Sequence, residues 1–190
     1  MSEERIRSFI AFELSENTIL SRINELQSEL VQAGSTLRIV APENLHVTLS
    51  FLGEISQTTI DQVTTELGQI EFSSFELSLR GVGAFPNLRR INVVWVGIDK
   101  GRENLEGIFQ LLRPKLIQLG IPGIGQRFSP HITIARVSSG RNIEQLSKKM
   151  LAIGDIELGE TLLDTLRLKK SVLTAKGPVY TTLAEKKSRQ

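Results

Sequence analysis

The sequence predicts an α+β fold of two pseudo-symmetric lobes, each with an antiparallel sheet and helices, facing each other across a central cleft. Three observations carry this expectation. The only two histidines open the same four-residue pattern, His46-Val47-Thr48-Leu49 and His131-Ile132-Thr133-Ile134. The spacing repeats as well: 85 residues separate His46 from His131, 86 separate Gly34 from Gly120, and 85 separate Phe9 from Val94. No Pro-, Gly- or Ser-rich linker divides the halves, so residues 1–190 are read as a single bilobal domain.

Each element follows from local pattern. Phe9 to Phe12 form a short apolar run that reads as a buried strand within Arg5–Leu14. Ser15 is expected to cap a helix to about Ala33, because Ile19, Ile23, Leu26 and Leu30 recur at helical spacing. Leu37, Ile39 and Ala41 alternate as extended chain, and the first His strand runs to about Leu52. Ser56 caps a second helix carrying Ile60, Val63, Leu67 and Ile70. Phe75, Leu77 and Leu79 alternate with polar residues as a strand, and Gly81, Gly83 and Pro86 mark a loop. The order then restarts. Ile91–Ile98 is a Val-rich strand, Gly101–Leu119 a helix, and the second His strand follows Phe128-Ser129-Pro130. A short helix from Asn142 and strands at Ile156–Leu163, Leu166–Leu173 and Val179–Ala184 complete the chain. Glu185–Gln190 is expected to fray.

Composition narrows the function classes. Cysteine is absent, which removes disulfides, thiolate nucleophiles and cysteine metal sites. No apolar run approaches a membrane span and no secretory pattern opens the chain, so a cytoplasmic monomer without membrane attachment is expected. A net charge of +2 is compatible with a phosphate-bearing partner without requiring one.

Strand alternation puts His46, Thr48 and Ser50 on one face, with Val47, Leu49 and Phe51 on the other. The second copy puts His131, Thr133 and Ala135 together, with Ile132 and Ile134 buried. Two such strands face to face offer two imidazoles and two hydroxyls to one space. That set suits phosphodiester chemistry without a metal or other cofactor. A neutral imidazole takes a proton, a charged one gives a proton, and hydroxyls hold the non-bridging oxygens. Two bland readings compete. A lone strand histidine is usually structural, but both histidines share one pattern at matching places. A two-His metal site would need flanking carboxylates, and Glu43 and Glu54 lack metal-ligand spacing.

On these residues the chain resembles the two-histidine (2H) phosphoesterase superfamily, and within it the RNA 2′,3′-cyclic phosphodiesterases, also called 2′-5′ RNA ligases. The match runs from Arg7-Ser8-Phe9-Ile10-Ala11 through Asn44–Gly53, Gly81–Pro86 and Arg90–Trp95 to Phe128–Arg136. The resemblance implies an active site in the central cleft between two antiparallel sheets. It also implies hydrolysis of RNA 2′,3′-cyclic phosphate ends to 2′-phosphomonoesters, with tRNA fragments among the candidate substrates. By the same resemblance His46 is the proton donor, His131 the proton acceptor, and Thr48, Thr133 and Arg136 hold the phosphate. Ligation would place a 5′-hydroxyl where water attacks.

Arg136 lies an odd number of residues from His131, so a flat strand would turn it away; a bulge near Ala135 would bring it back. Arg7, Phe85, Arg90 and Phe128 are candidate RNA contacts. Arg38, Arg89, Arg127 and the run Arg167–Lys170 each read as solvated charges that can also meet phosphates. Three alternatives stay open: a cyclic phosphodiesterase for small nucleotides or ADP-ribose cyclic phosphate, a non-catalytic RNA-binding protein, and a metal-dependent phosphodiesterase that shares the spacing.

Overall fold

Apolar periodicity in this chain resolves into two layers, a curled antiparallel sheet and four helices packed on one of its faces. The computed structural model describes residues 4–122, 124, 128–175 and 177–189. In chain order the elements are β1 (Arg5–Glu13), α1 (Asn17–Val31), β2 (Leu37–Ile39), β3 (His46–Ser56), α2 (Gln57–Gly68), β4 (Phe75–Asn87) and β5 (Arg90–Ile98). They continue with α3 (Arg102–Gln118), β6 (Ile132–Val137), α4 (Ile143–Ile153), β7 (Glu157–Leu163), β8 (Thr165–Thr174) and β9 (Gly177–Lys187). A 3-10 turn, Pro42–Asn44, precedes β3. None of the described helices is long and apolar enough to cross a membrane.

The strand order is β7-β4-β5-β6-β3-β1-β8-β9, with β2 added to β6. The lobes are therefore β7-β4-β5-β6 and β3-β1-β8-β9, and they are not the two halves of the sequence. β4 follows α2 in the first half but pairs with β5, while β8 from the second half pairs with β1. The helices cross over too: α1 packs on β6 and β7, and α3 on β3. This exchange explains why no linker was legible.

The expected helical faces are the buried ones. Ile19, Ile23, Leu26 and Leu30 of α1 and Leu105, Ile108, Leu112 and Leu116 of α3 all pack into the core. Ser56 caps α2, its Oγ accepting from the Thr59 N–H at 3.2 Å. Ser15 does not cap α1. Leu14 still donates to the Leu45 carbonyl, so the chain stays extended past it and Glu16 takes the cap position.

Two further expectations are corrected. Gly81–Pro86 is strand, not loop, because β4 continues to Asn87 against β5. Gly83 reads as punctuation in sequence, yet it lies opposite Trp95, and a Cβ there would overlap the indole ring. The polar tail is tied down as well. β9 runs to Lys187, Arg189 pairs with Glu71, and Lys186 donates to the Gly68 carbonyl at 3.0 Å. Gln190 lies outside the described residues.

The seam between lobes needs its own support. β2 leaves β6 where Val40 donates to the Ile134 carbonyl, and β3 joins further along with Val47 opposite Ile132. Gln27 of α1, only 2 % exposed, donates through Nε2 to both the Val40 and Ile134 carbonyls at 2.9 Å. Without Gln27 the Ile134 carbonyl keeps the Val40 N–H but the Val40 carbonyl loses this donor, and a buried carbonyl left without a donor costs about 1–3 kcal/mol. Gln27→Leu should therefore lower unfolding free energy by about 1–3 kcal/mol, measured by urea denaturation; an unchanged midpoint would show that these bonds do not hold the seam.

Candidate active site

The register between β3 and β6 sets the geometry. With Val47 opposite Ile132 in an antiparallel pair, His46 lies across from Thr133 and Thr48 across from His131. Val47 and Ile132 are both 0 % exposed and point to the helices. Both histidines and both threonines therefore share the open face. Directly opposed side chains there have Cβ atoms about 4.5–5.5 Å apart.

The two imidazoles are held alike. His46 Nδ1 lies 2.7 Å from the Asn44 carbonyl, and His131 Nδ1 lies 2.7 Å from the Ser129 carbonyl. A carbonyl can only accept, so each Nδ1 carries the proton and donates. Each Nε2 then points to the opposite side of its ring, free to accept a proton or, when charged, to give one.

Aromatic rings flank both. The His46 ring lies 4.9 Å from Phe9 and 5.4 Å, edge-on, from Tyr180. The His131 ring lies 4.9 Å from Phe85 and 6.2 Å from Trp95. Burial among these rings pushes both imidazoles below their ordinary value of 6.5. For His46, the bond to the Asn44 carbonyl and the Glu13 carboxylate oppose burial, while the charges of Lys169 and His131 add to it. For His131 the Ser129 carbonyl opposes burial and the Arg136 guanidinium adds to it.

Bulges decide which other residues join this face. Along β3 the pairing with β1 skips at Leu49 and again at Leu52. Ser50 consequently lies opposite Ile10 on the core side, 6 % exposed, and Phe51 turns to the open face beside Phe9, 63 % exposed. Alternation had assigned these two residues the other way round. β6 skips at Ile134 against β5, so Ala135 opposes Val94 in the core and Arg136 opposes Val93. Val93 is two residues from Trp95, which contacts His131. Arg136 thus shares the face of His131 and Thr133, and Ala135 does not.

Other expected contacts divide. Phe85 faces the site through His131. Arg7 is exposed, and its charge, like that of Arg136, acts on Tyr180, whose hydroxyl burial pushes above its ordinary pKa. Arg90 lies at the tip of the β4–β5 hairpin, where its backbone N–H donates to Asn87 Oδ1 at 3.1 Å. Phe128 belongs to packing instead: its ring stacks on Phe109 of α3 with centroids 4.7 Å apart and an interplanar angle of 12°. Arg167 and Lys169 are likewise engaged, both with Glu13, and Lys169 also donates to Thr182 Oγ1 at 2.9 Å. Arg127 lies outside the described residues.

Sequence reading gave no site role to Phe9, Glu13, Trp95 and Tyr180, and placed Lys169 only among charges that can meet phosphates. Their signal was the alternation of β1, β8 and β9 relative to His46 and of β5 relative to His131, visible only once pairing partners are known. Among the described residues no three His, Asp or Glu side chains group as metal ligands. A separate concavity of about 500 Å³, lined by Arg5, Gly53, Ser56 and Pro122 at the far end of β3, contains neither histidine.

The chain is similar to known proteins over nearly its whole length. Residues 14–95 match the model of the LigT-like phosphoesterases. A protein of Aeropyrum pernix named RNA 2′,3′-cyclic phosphodiesterase is 37% identical over 170 residues, covering 90% of this chain and 97% of that one. One of the same name from Methanothermobacter thermautotrophicus is 30% identical over 181 residues, covering 94% and 97%. Among solved structures, TT0787 of Thermus thermophilus superposes with a TM-score of 0.80 at 28% identity, covering 96% of this chain and 97% of its own. The apo form of E. coli LigT gives 0.78 at 26% identity, covering 98% and 99%. With relatives at this identity over nearly their whole length, the chain belongs to the LigT-like phosphoesterase family.

Proposed function

We propose that this protein hydrolyses 2′,3′-cyclic phosphates at RNA 3′ ends to 2′-phosphomonoesters, using His46 as acid and His131 as base. The observation that carries the proposal is the matched tethering of both imidazoles. Each Nδ1 is engaged by a carbonyl two residues earlier, so both present Nε2 to the face that holds Thr48 and Thr133. The names of the relatives supply the substrate class.

In this mechanism water attacks phosphorus and His131 Nε2 takes its proton. The P–O3′ bond breaks, and His46 Nε2 protonates the departing 3′-oxygen. The 2′-ester remains, with a free 3′-hydroxyl. Thr48, Thr133 and Arg136 hold the non-bridging oxygens as charge builds on them. The division of labour between the histidines is supported by their neighbours. Glu13, set against Lys169, favours the charged form of His46, whereas the charge acting on His131 is Arg136, which favours its neutral form. A 5′-hydroxyl replacing water in the same geometry would form a 2′-5′ linkage. No step requires a metal.

The direct test is incubation with an RNA ending in a 2′,3′-cyclic phosphate. The expected product carries a 2′-phosphate; a 3′-phosphate, or no turnover, overturns the proposal. His46→Ala and His131→Ala should each reduce kcat by at least about 100-fold while leaving the circular dichroism spectrum unchanged, since one positioned acid or base contributes roughly that much. Activity should persist in a chelator; loss of turnover restored by one added ion would replace this mechanism with a metal-dependent one.

The pH dependence follows from burial. The base must be neutral and the acid charged, so kcat/KM should be bell-shaped, with its maximum at the mean of the two pKa values. Both lie below 6.5, so the optimum for the free enzyme should fall on the acid side of 6.5. Stability should move in the other direction. Below 6.5 the unfolded chain takes up protons that the buried imidazoles resist, so unfolding free energy should decline as pH falls through that value. A titration of kcat/KM and of the urea midpoint from pH 5 to pH 8, about the ordinary histidine range, checks both signs.

A further inference from the structure

β2 and β3 are nearly collinear along one edge of β6, separated by the detour through Pro42–Asn44. Beyond the His46–Thr133 pair, this edge carries a second cross-strand pair on the open face, Arg38 opposite Arg136. Their neighbours Leu37, Ala135 and Val137 pack against the core, so strand alternation turns the two arginines to the other face. Both arginines are exposed. Neither has a carboxylate partner among the described residues, although eleven other ion pairs form among them.

Like charges directly opposite each other on adjacent strands repel. A strand pair holding two of them in register with no carboxylate partner favours bound anions. The location specifies which. Arg136 lies three residues from Thr133, and the bulge at Ile134 shortens this to the two-residue interval between Trp95 and Val93 on β5, about 6.6 Å at 3.3 Å per residue. Arg38 lies across from Arg136, about 4.8 Å away, on the β2–β3 edge that also carries His46. Arg136 therefore stands beside the reacting phosphate at Thr133, and Arg38, past His46 along its own edge, is placed for the next phosphate along a chain.

We propose that Arg38, opposite Arg136, forms a subsite for the phosphodiester that joins the terminal nucleotide to the nucleotide before it. The preferred substrate is then an RNA strand of two or more nucleotides and not a cyclic mononucleotide. This rests on the phosphodiesterase reading and goes beyond it by assigning chain recognition to Arg38.

The test compares Arg38→Gln with wild type on three probes: a cyclic mononucleotide, a dinucleotide with a cyclic phosphate end, and the same dinucleotide with a neutral methylphosphonate linkage. Arg38→Gln should lower kcat/KM on the charged dinucleotide at least about tenfold, as expected for a charge-assisted contact, and leave the other two probes unchanged. Arg38→Lys should recover part of the loss. Equal loss on all three, or loss on none, overturns the subsite. Binding of the 2′-phosphate-ended dinucleotide by fluorescence anisotropy is read in parallel, and its log–log salt slope should fall by about 0.7 in Arg38→Gln, one phosphate contact on a single strand. If wild type turns over no probe, the phosphodiesterase reading fails, while an unchanged affinity in Arg38→Gln overturns the subsite separately.

Discussion

The arrangement depends on one backbone register, Val47 opposite Ile132, where the two lobes meet. A shift of one residue there would turn one tetrapeptide's imidazole and hydroxyl into the core. Two features hold this register. Val47 and Ile132 are fully buried against the helices. Gln27 reaches from α1 to the two carbonyls at the point where β2 gives way to β3. The exchange of β4 and β8 between lobes adds a topological constraint. Neither half of the chain can close its own sheet, so the two halves of the sequence cannot part without losing strand pairings in both lobes.

The site is tuned by what surrounds each imidazole. Aromatic rings remove water and favour neutral imidazole, while the carbonyls at Asn44 and Ser129 fix ring orientation and partly restore basicity. The lobes differ in their charged neighbours. On the His46 side Glu13 is shared by Arg167 and Lys169, and Lys169 is almost wholly buried. On the His131 side the charge that acts on the imidazole is that of Arg136. The two histidines therefore stand in chemically unequal surroundings, which suits the separate acid and base roles proposed for them.

Bulges are the means by which the same strands serve both core and site. Each skipped residue reverses the alternation beyond it. At Ile134 the reversal brings Arg136 to the histidines and sends Ala135 inward. At Leu49 it buries Ser50 and exposes Phe51. The periodicity that identifies a strand contains no information about where such a residue is inserted, because the insertion is defined against a partner strand.

The sequence by itself determined the element order, the helical core faces, the α+β class and the two tetrapeptides. Each of these is written in local periodicity or in side-chain type. The helical stripe Ile19-Ile23-Leu26-Leu30 and the repeated His-x-Thr are legible without any partner. Tertiary structure alone decided that β4 and β8 change lobes, that Gly83 is strand beneath Trp95, that the tail is anchored through Glu71, and that Phe128 packs on Phe109. It also decided which of Arg38, Arg136, Arg167 and Lys169 remain unpaired. These outcomes depend on pairing between residues tens of positions apart, and a linear pattern does not record which distant strand will lie alongside.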